Sequence, residues 1–98
     1  MIVGRVVGTV VSTQKEARLQ GLKLLLVEQT DVQGKGKGSF VVAVDAVNAG
    51  AGELVLCASG SSARQTEITK DKPVDTVIMA IVDEIHMRGE EAYSKSRD

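Results

Sequence analysis

The chain has 98 residues, room for one domain and one core, and a chain of that length buries only about two thirds of the surface its unfolded form exposes. Hydrophobic residues make up 43% but aromatics only 2%, so the core must be built from Val, Ile, Leu and Ala. Twelve basic residues face thirteen acidic ones for a net charge of −1, which supplies no long-range field for nucleic acid or anionic lipid. The single Cys57 cannot form an internal disulfide, which suits a reducing cytosol. No apolar run approaches the roughly 18 residues of a membrane span. The segment Met1–Arg5 lacks the charged region, apolar core and cleavage site of a secretory signal. A complete, cytosolic protein is the expectation.

In chain order, short β-branched apolar runs alternate with turn residues. The runs are Ile2 to Thr13, Leu22 to Gln29, Phe40 to Val47, Glu53 to Ser59 and Thr76 to His86. Each fits a strand, and several short strands at this spacing predict a sandwich or barrel. Gly34 to Gly38 reads as a flexible hairpin tip, and Asn48 to Gly52 as a tight connection whose glycines permit positive φ. Ser62, Ala63, Arg64 and Gln65 have the form of a capping box, which predicts a short helix starting there. Lys70 to Pro73 is a loop into the last long strand. Met87 to Glu90 turns the chain into a short strand through Ala92 and Tyr93, and the tail from about Ser94 is expected to be loose.

A strand with one face in water should alternate apolar and polar residues. Here that alternation is blurred. Leu22, Leu24 and Leu26 are opposed by Leu25 and Val27; Ile78, Ala80 and Val82 are opposed by Val77, Met79, Ile81 and Ile85. Either the sheet curls heavily or another subunit covers its second face, and extended apolar patches favour self-association.

Reactive constellations are thin. The Gly/Lys loop at 34–38 lacks the Gly-Lys-Ser/Thr ending and the following helix of a phosphate cradle. His86 and Glu84 share a strand face, but two ligands fall short of the three or four a zinc site needs, so no metal is expected. Ser61 and Ser62 do not form a hydrolase elbow and have no oriented base. Cys57 in an apolar strand acts as a small hydrophobe. Asp45, Asp75 and Asp83 flank apolar segments with nothing to pair them as acid and base; loop amides, Arg64 or Arg5 are their expected partners. Only Phe40 and Tyr93 are available to stack nucleic-acid bases, against the aromatic platforms that single-strand binders use. No enzyme and no cofactor are expected.

Four segments, spanning almost the whole chain, carry a resemblance. They are Gly8 to Lys15; Leu19 and Gly21 with Lys23 to Val27; Val44 to Val47 with Ala49 to Glu53; and Gly60 to Arg64 followed by Pro73 to Asp75 and Ile81 to Asp83. In this order they resemble the small vertex proteins of bacterial microcompartment shells, the family of the carboxysome and ethanolamine-compartment pentamers. One departure is Asn48, where the family usually has glycine; asparagine tolerates left-handed backbone, so the turn should be kept.

The resemblance implies a mainly β fold: a small five-stranded barrel similar to the oligonucleotide-binding fold, with a short helix and a short C-terminal strand, all in one domain over residues 1–98. It implies a cytoplasmic shell subunit that self-assembles into a homopentamer at polyhedral vertices, with hexameric shell proteins as outer partners and neither nucleic acid nor membrane. The alternatives are a stand-alone binding module of the same fold and a six-membered ring. Gly60, Ser61, Ser62 and Ala63 are candidates for the ring axis and a narrow pore. Asp45, Glu53 and Arg64 are candidates for polar contacts at the subunit interface.

Overall fold

The computed structural model describes residues 1–97. Among these, five strands close a barrel: β1 (Ile2–Thr9), β2 (Leu24–Thr30), β3 (Gly36–Asp45), β4 (Leu54–Ser59) and β5 (Thr76–Ile81). The order around the barrel is β1-β2-β3-β5-β4, with β4 pairing back onto β1. All pairs are antiparallel except β3 with β5, which meet only through Val44 with Val77 and Asp45 with Ile78. A second, two-stranded sheet joins β6 (Glu84–Met87) to β7 (Glu90–Ser94). This is the small barrel with a short C-terminal strand that the resemblance implies.

The blurred alternation is resolved by three separate burials. Inside the barrel, Val6, Leu25, Val27, Ala43, Val55, Cys57 and Ile78 form the main core. At one end, Val44, Ala58, Ala63, Val74 and Val77 pack with Leu19, Leu22 and Leu24. Outside the barrel, Leu54, Val82 and Tyr93 pack with Val3, Leu56 and Ile85, so the β6–β7 hairpin covers the outer side of β1 and β4. Small side chains suit so narrow a closed sheet, because two strands approach closely at Gly4. A Cβ there would overlap Val27 Cγ1 and stand 2.9 Å from the Glu28 carbonyl oxygen.

Several expected boundaries move. The first run stops at Thr9, and Val11 beyond it is exposed. The third begins at Gly36 instead of Phe40, because the turn lies earlier: the Asp31 carboxylate accepts the amides of Gln33 (2.8 Å) and Lys35 (3.0 Å), and Gly34 takes φ 83°. The tip is thus a pinned turn at 31–35, and Gly36 to Gly38 belong to β3.

The last run breaks after Ile81, where the Val82 amide bonds to the Leu54 carbonyl and its side chain drops into the outer cluster. The expected helix is a 3-10 turn, Gly60–Arg64, entered directly from β4. Ser62 therefore caps nothing; Gln65 closes the turn, its amide bonded to the Ser62 carbonyl. After Ser94 the chain forms one more 3-10 turn, Lys95–Arg97, with the Lys95 amide bonded to the Asp83 carbonyl.

Two turns follow the sequence closely. Asn48 takes φ 58°, so the left-handed turn is kept without glycine. The β6–β7 hairpin closes on two residues, Arg88 (φ 54°) and Gly89 (φ 77°), the signs of the turn whose twist matches a right-handed strand pair.

Candidate assembly face

A stripe of exposed hydrophobic residues lies on the outer side of β2 and β3. Leu24, Leu26 and Glu28 stand opposite Val44, Val42 and Phe40, and alternate positions of a strand share one face. Leu25, Val27 and Ala43, between them, point into the barrel. Val44 is roofed by the loops that carry Leu19 and Val74. Further along, no described residue covers the stripe: Val42 is 46% and Phe40 54% exposed. Phe40 is the chain's sole phenylalanine, and burying such a side chain is worth about 1.5–3 kcal/mol. Beside the stripe lies a cleft of about 190 Å³, walled by Leu19, Leu24, Val42, Val44, Pro73 and Val74.

Hydrogen bonds and a buried side chain fasten the turn at 60–64 to its neighbours. Gly60, at φ 63°, donates its amide to the Asp75 carbonyl (2.8 Å). Ala63 is fully buried in the end cluster, and its carbonyl accepts a hydrogen bond from the buried Thr69 hydroxyl (2.6 Å). Arg64 donates to the Val74 carbonyl at 3.1 Å. Gly60, Ser61 and Ser62 are exposed on this platform, whereas the Ala63 side chain faces inward.

The polar candidates are engaged within their own chain. The Asp45 side chain, 1% exposed, caps the β3–β4 turn: Oδ1 accepts the Val47 amide (3.1 Å), Oδ2 the Ala49 amide (2.9 Å), and Lys23 Nζ stands 3.6 Å from Oδ2. Glu53 accepts the Gly50 amide on one oxygen and the Lys95 ammonium on the other at 2.6 Å. The Lys95 ammonium first and the Gly50 amide second hold its carboxyl below the usual value of 4.5. Arg5 ties three regions together, donating to the Gly52 and Gly34 carbonyls and lying over the Tyr93 ring, 6.0 Å from its centre.

Of the sequence candidates, Arg64 and Gly60 to Ala63 share one turn; Asp45 and Glu53 serve the two ends of another. Phe40 and Val42 were not singled out as surface residues. Their signal was the period of two, which places them on the face of Leu24 and Leu26 once β2 and β3 pair.

A closed five-strand barrel with order β1-β2-β3-β5-β4 and an apolar strip facing out defines a small barrel subunit of the oligonucleotide-binding kind. Residues 1–83 match the family model described as ethanolamine utilisation protein EutN/carboxysome. The chain belongs to this EutN/CcmL family. It is 43% identical over 95 residues to the carboxysome shell vertex protein CcmL of Gloeobacter violaceus, covering 97% of this chain and 95% of that one. The structure of that protein superposes with a TM-score of 0.93 at 43% identity, covering 98% of this chain and 99% of the other. The bacterial microcompartment shell vertex protein EutN of Salmonella typhimurium is 43% identical over 90 residues, 92% of this chain and 91% of its own. The GrpN pentameric microcompartment shell protein from Rhodospirillum rubrum has a TM-score of 0.81 at 42% identity, covering 89% of this chain and 99% of that one.

Proposed function

We propose that this chain is a structural, non-catalytic subunit of a bacterial microcompartment shell in the cytoplasm, and that five copies close into a ring at each vertex. The observation that carries it is the likeness, over almost the full length of both chains, to proteins named as shell vertex proteins of two compartment types. The pentameric state of the similar Rhodospirillum rubrum protein supports the copy number.

Physical reasoning supports the same assignment. A head-to-tail contact repeated with a fixed rotation closes into a ring when the rotation divides a full turn. Such a contact needs two different surfaces on each subunit. The Phe40–Val42 stripe with its neighbouring cleft supplies an apolar surface for one side. The exposed Gly60, Ser61 and Ser62 are small enough to let neighbouring backbones approach, which supports an axial position. Ala63 anchors that turn from beneath. Arg64, exposed at the edge of the same turn, is the polar candidate best placed to reach a neighbour; Asp45 and Glu53 act at the interface chiefly by holding their turns. The outer partners are hexameric shell proteins, and neither nucleic acid nor membrane is among the partners.

Co-production with hexameric shell proteins tests the assignment. Closed polyhedral shells should form when this chain is present, and open sheets, tubes or unsealed shells when it is withheld. Equal closure in both cases would refute a vertex role.

A further inference from the structure

The β6–β7 hairpin brings together three ligand-bearing side chains that the sequence separates. Glu84 and His86 are two apart on β6 and share a face, and Glu91 on β7 stands directly opposite His86. That opposition depends on a register shift between Ile85 and His86: Ile85 faces Tyr93, yet His86 faces Glu91, so Ala92 is the extra residue. With no bulge, His86 would face Ala92. Bulges commonly re-aim a side chain in this way. One ligand atom from each of the three lies within 4.8 Å of the others, and Glu84 Oε1 sits 2.9 Å from His86 Nε2. Arg97 pairs with Glu91 through Oε1, a contact that an ion held here has to share or displace.

We infer that Glu84, His86 and Glu91 form a binding site for one divalent ion of the zinc class. One imidazole and two carboxylates are the mixed donor set that borderline divalent ions accept, and three protein ligands with the remaining positions left to water are the minimum of an open zinc site. The two-residue turn at Arg88 and Gly89 fixes how the two strands face each other. A bound ion joins β6 to β7 across a sheet of only two strands, which has little stability of its own. The site does not depend on the number of subunits in the ring.

His86 is the chain's sole histidine, so its ring signals in nuclear magnetic resonance are unambiguous. Titrating the assembled protein with zinc chloride should move those signals saturably at one equivalent per chain, with calorimetry giving the same stoichiometry. Both His86→Ala and Glu91→Gln should weaken binding by roughly tenfold or more. All three positions are exposed, so the variants should fold as the parent does. Ring signals that stay fixed as zinc is added, or undiminished affinity in Glu91→Gln, would overturn the inference.

Discussion

Asn48 shows at one residue how the chain departs from the resemblance without losing the turn. A left-handed backbone costs an ordinary L-residue about 1–2 kcal/mol, and asparagine is among the few that adopt it routinely. Asn48→Gly should therefore leave stability nearly unchanged, whereas Asn48→Val should lose about 1–2 kcal/mol in urea unfolding. Cys57 gives a pH signature of the core. Burial pushes its thiol from 9.0 up to about 11. The folded chain thus holds the proton more tightly than the unfolded one, and ionisation at high pH favours unfolding. The corresponding stability is intact below pH 9.0 and is lost as pH rises toward about 11. Cys57→Ala should flatten that alkaline decline in thermal melts, whatever its cost at neutral pH.

Among the elements, the β3–β4 turn depends on one carboxylate. Asp45 is buried and holds the amides of Val47 and Ala49, and removing it strands the buried Ala49 amide without a partner. An orphaned buried donor costs about 1–3 kcal/mol, so Asp45→Ala should lower unfolding stability by about that much, measured by chemical denaturation. The apolar runs and their turn residues placed all five barrel strands, and the punctuation at Met87 to Glu90 placed the hairpin, because both are local signals. What the chain did not reveal locally depends on distant partners. The Thr76–His86 run looks continuous until Val82 meets Leu54 and Tyr93. Ser62 looks like a cap until β4 delivers the chain into its turn at Gly60. Glu91 was invisible as a neighbour of His86 because a one-residue register shift, not spacing, sets them opposite.

For the whole molecule, the apolar excess noticed in the sequence divides into three fates. Most of it fills the barrel, and part is roofed by the β6–β7 hairpin and the 17–22 and 73–74 loops. Of the remainder, Phe40 and Val42 form the outward stripe on β3, while Val7, Val11, Ile68, Met79 and others are exposed elsewhere. Gly60, Ser61 and Ser62, proposed for the ring axis, stand exposed on a turn whose Ala63 side chain is buried beneath them. Which edge of one subunit would meet which face of the next in the proposed ring is encoded by no single strand pattern.

Copy number in solution, by native mass spectrometry with a parallel sedimentation run, tests most directly whether this outward stripe is a joint between identical subunits. The parent chain should appear at five times the subunit mass, and Phe40→Asp, a change at an exposed position that leaves the fold intact, should shift it to single subunits. A parent that stays monomeric at high concentration, or a Phe40→Asp ring as stable as the parent's, would contradict the account.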